Sequence, residues 1–236
     1  MVMMQTLIGS YPGSTGVQDP YFSDVVLLMN NSVTDLSSNN TSVTFNNSTL
    51  QSMTLPDGTT GNAIRLDKGD YFTTADAIPG FGTSDFTVEF YVNYFNSINT
   101  NYTAQHDVRI GNSQRGIPML WLRSRKPYLA AGTSTTGVDG IRILASSALS
   151  QNQWYHLAIT RIGTTHRLYV DGVVQGTWDT SSVLNFNETH GLQFNKRFTG
   201  TTYADDYYLC NLRLTYGTAR YGSSNFTPET APWPTS

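Results

Sequence analysis

Trp154-Tyr155-His156-Leu157-Ala158-Ile159-Thr160-Arg161 leads through Gly163-Thr164-Thr165 into Arg167-Leu168-Tyr169-Val170, and Asp171-Gly172 closes that run before Trp178. Each apolar run alternates side chains suited to opposite faces of a pleated strand, and each interruption carries turn residues. Asp-Gly takes the positive φ values that a two-residue hairpin requires. The stretch from 154 to 178 is therefore predicted to be an antiparallel three-strand meander.

The same alternation recurs on both sides of it. Val25-Val26-Leu27-Leu28-Met29 is a continuous apolar run of strand length. In Asp85-Phe86-Thr87-Val88-Glu89-Phe90-Tyr91-Val92, the apolar Phe86, Val88, Phe90 and Val92 share one face and are expected between two sheets; Thr87, Glu89 and Tyr91 share the other. Shorter strands are predicted around 43–45, 53–55, 61–67, 71–72, 107–110, 118–123, 128–131, 140–144 and 191–194, with a last strong one at 207–214. Frequent strands separated by Gly, Asn and Ser turns give an all-β chain, a two-sheet antiparallel jelly-roll sandwich. At 236 residues this is one main domain. Residues 1–20 read as an extended N-terminal arm, 21–236 as the jelly-roll domain, and 217–236 within it as a proline-rich C-terminal strap.

Composition excludes several function classes. Charged residues are 13% of the chain and the formal net charge is −3, so no cationic excess exists to neutralise nucleic-acid phosphates. Cys210 is the single cysteine, which leaves stability to packing without an intramolecular disulfide. Met1-Val2-Met3-Met4-Gln5 lacks the basic region and apolar core of a signal peptide, and no segment is apolar enough to insert in a bilayer. Synthesis in the cytosol is expected. Triplets such as Asn39-Asn40-Thr41 and Asn225-Phe226-Thr227 then follow from an Asn- and Thr-rich composition rather than from glycosylation.

The Trp-x-His strand and the Leu168-Tyr169-Val170-Asp171-Gly172 hairpin resemble the laminin-G-like jelly roll of the concanavalin A-like lectin/glucanase superfamily. Asp19-Pro20-Tyr21-Phe22-Ser23-Asp24, Arg65-Leu66-Asp67-Lys68-Gly69-Asp70-Tyr71, and the ending Ala219-Arg220-Tyr221 with Asn225-Phe226-Thr227-Pro228 and Ala231-Pro232-Trp233-Pro234 resemble the branch common in tailed-phage virion proteins. That resemblance implies a non-enzymatic virion structural protein, a capsid decoration or tail-associated adhesion subunit. Its implied partners are other virion proteins or copies of itself in a homo-oligomer. A glycan-binding module for host attachment is the alternative it implies, with a glycoside hydrolase third. One departure stands out: where the family often carries Ile-Asp-Asp/Glu-Leu-Arg, this chain has Leu209-Cys210-Asn211-Leu212-Arg213, so no role of that acidic pair carries over.

A glucanase places an acid and a nucleophile across the glycosidic bond with a stretch near Glu-x-Asp-x-x-Glu. None exists here: Glu89 stands alone on its strand, and the adjacent Asp205 and Asp206 face opposite sides. No catalytic residue is assigned. Lectin-like sites stack sugar rings on exposed aromatics beside amides, and Tyr91, Tyr94, Trp121, Tyr128 and Trp178 are the candidates, with Asn93 and Asn96 near in sequence. Calcium, the cofactor usually associated with laminin-G-like domains, needs convergent oxygens. Asp67 and Asp70 are its best candidates, and Asx hydrogen bonding within their turn is the competing role. The histidines lack metal-ligand spacing: His156 is on a core-like strand, His166 and His190 are in predicted turns, and His106 is in a loop. Cys210 reads as a small buried residue. In the arm, Val2, Leu7, Ile8 and Tyr11 are apolar anchors for assembly, and Tyr221, Phe226 and Trp233 are expected to pin the strap.

Overall fold

The computed structural model describes residues 18–67, 69–75, 81–95, 108–110, 119–123, 125–130, 141–181, 192–195, 206–230 and 232–236. In chain order the strands are β1 (Val25–Met29), β2 (Val43–Asn46), β3 (Thr49–Thr54), β4 (Thr60–Leu66), β5 (Tyr71–Thr74), β6 (Phe86–Tyr94), β7 (Val108–Ile110) and β8 (Met119–Arg123). They continue with β9 (Lys126–Ala130), β10 (Ile141–Leu144), β11 (Trp154–Ile162), β12 (Thr165–Val170), β13 (Val173–Asp179), β14 (Leu192–Phe194) and β15 (Tyr207–Tyr216). The front sheet runs β13-β12-β11-β6-β15-β4-β3, with β1 also paired to β15; the back sheet runs β10-β9-β8-β7-β14-β5-β2. All of these pairings are antiparallel. This is the two-sheet sandwich the alternation predicts. Among the described residues no helix is long and apolar enough to cross a membrane.

The meander is β11, β12 and β13. Ile162 pairs with Thr165, leaving Gly163 at φ +57 in a two-residue turn, and Val170 pairs with Val173 around Asp171 at φ +49 and Gly172 at φ +73. Positive φ at both central residues is the type I′ geometry that matches strand twist. His166 lies within β12, not in a turn, because the Gly163-Thr164 turn is one residue tighter than the sequence implied.

Phe86, Val88, Phe90 and Val92 lie in the core between the sheets, as their alternation requires, beside Leu157, Leu168, Phe194, Leu212 and Leu214. The opposite face of β6 is equally buried, which period-two reading of one strand does not foresee. Its cover is a second apolar cluster in which Val25, Leu28, Leu55, Ala63, Tyr91, Cys210 and Trp233 pack together. The C-terminal strap therefore lies across the front sheet's outer face. Trp233 is 2% exposed, and its backbone N–H donates to Asn30 Oδ1 (3.1 Å) while its carbonyl accepts Asn30 Nδ2 (2.7 Å). Upstream on the strap, Phe226 N–H donates to the Gly172 carbonyl (3.0 Å).

A bulge in β15 decides which face its side chains take. Cys210 pairs with Tyr91 and Arg213 with Glu89, so Asn211 and Leu212 together oppose Phe90 alone. Asn211 supplies the bulge's φ of +48. Parity is thereby shifted by one. Leu212 and Leu214 turn toward the core, and Arg213 is carried to the outer face opposite Glu89.

Candidate functional site

The outer face of β6 places Glu89 between Ala158 of β11 and Arg213 of β15. His156, two residues along β11, reaches the same carboxylate. Glu89 is 0% exposed and accepts Arg213 Nε (2.8 Å), His156 Nε2 (3.1 Å) and Tyr221 Oη (2.6 Å). A second carboxylate, Asp19, faces Arg213 Nη1 at 3.3 Å and takes a bidentate pair from Arg220, at 2.9 and 2.6 Å. Arg220 Nε in turn donates to Thr215 Oγ1 (2.6 Å). Two carboxylates and two guanidiniums thus join the leading segment, the central strands and the strap in one buried network.

The electrostatics follow from that pairing. Burial pushes the Glu89 carboxyl upward, but the Arg213 guanidinium and the His156 and Tyr221 hydrogen bonds outweigh it and hold the group well below the usual carboxylate range. Asp19 is likewise lowered against its burial by the hydrogen bond and charge of Arg220. Burial and the Glu89 charge raise the Tyr221 phenol well above its ordinary value, so it stays a donor. A carboxylate that is ionised, enclosed and bonded to three donors neither takes up a proton nor reaches a glycosidic bond. The network serves as a lock for the strap.

Aromatic rings complete the lid. Tyr221 and Phe226 stack with centroids 3.6 Å apart, Trp233 lies 4.2 Å from the Arg213 guanidinium, and the His156 ring meets Tyr91, Tyr221, Phe226 and Trp233 edgewise. Between residues 18–21 and the strap this assembly leaves a cleft of about 210 Å³, whose wall includes Asp19, Tyr21, Arg213, Arg220, Phe226 and Glu229. Tyr21 is 40% exposed, and the Arg220 guanidinium sits 5.5 Å from its ring centroid.

The residues singled out as sugar platforms are not brought together. Tyr91, Tyr94 and Tyr128 are buried in the clusters that flank the front sheet, because strap and back sheet cover both of its faces; this withdraws them as open stacking surfaces. Tyr91 Oη instead donates to the Glu229 carbonyl (3.0 Å). Trp178 is half-buried, with the His166 ring 4.9 Å away and the Arg142 guanidinium 5.0 Å from its centroid. Asn93 is buried, while Asn96, the Trp121 side chain and the arm anchors Val2, Leu7, Ile8 and Tyr11 lie outside the described residues. Asp70 accepts the Asp67 N–H (3.0 Å) and Asp67 is paired with Arg65 (3.0 Å), so both carboxylates hold their own turn. No group of three His, Cys, Asp or Glu among the described residues is arranged to hold a metal ion. Cys210 is 2% exposed, and burial pushes its thiol far up.

Sequence reasoning passed over Glu89, Asp19, Arg213 and Arg220 as a set. The available signal was a carboxylate at the middle of the clearest strand, where one outward charge needs a partner. Asp19, at the junction of arm and domain, is also tied to the strap by its backbone: its N–H donates to the Ser236 carbonyl (2.9 Å).

A two-sheet jelly roll with one face sealed by its own strap is the architecture of a lectin-like domain. Residues 66–210 match the family model described as the concanavalin A-like lectin/glucanases superfamily, and the chain belongs to that superfamily. A search of curated proteins finds no match. Among solved structures, the binding domain of Paraclostridial Mosquitocidal Protein 1 is 16% identical with a TM-score of 0.62 over 83% of this chain and 49% of its own. The botulinum neurotoxin serotype D binding domain is 15% identical with a TM-score of 0.63 over 84% and 49%. This chain therefore spans about half the length of those domains. Domain 4 of AbnA, a GH43 extracellular arabinanase from Geobacillus stearothermophilus solved with arabinotriose, is 14% identical with a TM-score of 0.60 over 83% of this chain and 93% of its own. At these identities the likeness is one of fold.

Proposed function

We propose that this chain is a non-enzymatic adhesion subunit of a phage virion, a capsid decoration or tail-associated protein. The observation that carries the non-enzymatic part is the state of Glu89: the carboxylate at the centre of the front sheet is enclosed and committed to Arg213, His156 and Tyr221. The virion assignment is supported by the resemblance of the Ala219-Arg220-Tyr221 and Asn225-Phe226-Thr227-Pro228 ending to phage jelly rolls, with Arg220, Tyr221 and Phe226 all engaged in holding the strap. Mass spectrometry of purified particles of the phage that encodes the chain tests this. The chain is expected among the virion proteins, and its absence from intact particles would overturn the assignment.

The second reading, a glycan-binding module for host attachment, is favoured by the arabinotriose complex of the arabinanase domain, which aligns over nearly its whole length. The two readings are compatible, since a virion subunit attaches its particle through what it binds. A glycan array probed with the whole chain, run beside reducing-end assays on laminarin, lichenan and agar, separates binding from hydrolysis. Retention without turnover is the expected result; turnover abolished by Glu89→Gln would reverse it.

A further inference from the structure

Resting on the glycan-binding reading, we propose that the cleft between residues 18–21 and the strap is the sugar site, and that it takes one neutral monosaccharide unit. The argument begins with charge. On the cleft wall the carboxylates of Asp19 and Glu229 balance the guanidiniums of Arg213 and Arg220, so an anionic ligand meets no net attraction there. A cation finds Asp19 and Glu89 already neutralised by guanidiniums. What remains is hydrogen-bonding capacity of both kinds. Arg220 keeps a second N–H on each of Nη1 and Nη2 beyond its bonds to Asp19, and the exposed Glu229 carboxylate has lone pairs to spare. Donors and acceptors side by side on a charge-balanced wall suit vicinal hydroxyls.

The other wall is aromatic. Tyr21 is one of the large apolar side chains left exposed among the described residues, and Phe226 lies on the strap side of the cleft. A pyranose or furanose ring offers polarised C–H bonds to such a face while its hydroxyls turn to the charged wall. Volume limits the length: about 210 Å³ is below the usual range for drug-sized ligands and admits a single ring. The site is also rigid, because Asp19, Arg213 and Arg220 are each 7% exposed or less at the side chain and fixed by mutual bonds. The ordering cost of binding then falls mainly on the sugar.

Saturation-transfer NMR on the whole chain, with free L-arabinose, D-galactose, D-glucose and N-acetyl-D-glucosamine as probes, tests the proposal. The Trp233 indole N–H, beside Arg213, serves as the protein-side reporter. At least one of these sugars is expected to give transfer and to shift the Trp233 resonance, with Tyr21→Ala weakening its affinity about ten-fold or more at an unchanged melting temperature. Asp19→Asn risks the fold, so Glu229→Gln is the second variant, with a smaller loss expected. Binding that survives both variants unchanged would refute this cleft while leaving the glycan-binding reading standing. Failure of all four sugars to bind, with glycan-array retention intact, would refute the single-unit site; failure of both assays would refute the reading beneath it.

Discussion

Glu89 makes three charge-assisted contacts in a place with no exposure, and removing its charge tests what they hold together. Glu89→Gln keeps the side chain's shape but leaves Arg213 with only Asp19, at 3.3 Å, as a charged partner. Breaking one side of a buried pair typically costs 3–5 kcal/mol, roughly the scale expected here, because the surviving ion keeps its desolvation penalty. Denaturant unfolding measures it, and a loss under about 1 kcal/mol would show that the network does not stabilise the strap. His166 makes a second prediction, on pH. It is 0% exposed against Phe86 and Trp178, with Arg161 and Asp179 as the charges acting on it, and burial followed by the Arg161 charge brings its pKa down to about 4. The unfolded chain takes up this proton near pH 6.5 while the folded one does not, so stability is full above that value and falls as pH drops toward about 4. The span corresponds to roughly 3 kcal/mol. Unfolding at pH 7.0, 5.5 and 4.5 for the wild type and His166→Phe is expected to show a shallower slope in the variant; parallel slopes would remove His166 as the cause.

At the scale of elements, the type I′ turn between β12 and β13 is also where the strap crosses. Gly172 has φ +73, and a Cβ placed on it would run into the Phe226 carbonyl, whose own N–H is bonded back to Gly172. Gly172→Ala therefore strains the turn and lifts the strap together, and a destabilisation of about 2 kcal/mol or more is expected by thermal or denaturant unfolding. Asn225→Ala, which removes only the side-chain bond to Val174 N–H, is expected to cost about 1 kcal/mol; equal losses would argue that the crossing and not the turn is at fault. Strands and turns like these were legible because alternation and Asp-Gly chemistry are local. The bulge at Asn211 was not. Leu209-Cys210-Asn211-Leu212-Arg213-Leu214 reads as plain alternation until β6 fixes where the extra residue falls, and only then does Arg213 face Glu89. For the same reason Tyr91 was not legible as buried: it is on the outward face as its position implies, but nothing near it in sequence announces that Trp233 and the strap lie above. Burial by a distant segment is invisible to periodicity.

For the whole molecule, the leading segment and the strap meet at one corner, where Asp19 N–H donates to Ser236 and the Asp19 side chain holds Arg220. Residues 1–17 precede that corner in the sequence. Val2, Leu7, Ile8 and Tyr11 alternate there with Gly and Pro spacers, a composition that lets an extended backbone adapt while apolar side chains bury against another surface. We propose that the arm engages a neighbouring subunit or the particle surface. A chain shortened to begin at Gln18 retains Asp19 and with it the whole ion network, so its unfolding midpoint is expected to stay close to that of the full chain. Its association should not. Light scattering is expected to report a smaller species, and co-sedimentation with particles is expected to be lost, because the apolar anchors are gone while the sandwich is untouched. Equal mass and equal co-sedimentation for the two chains would rule the arm out as the attachment device and shift attachment to a face of the sandwich itself.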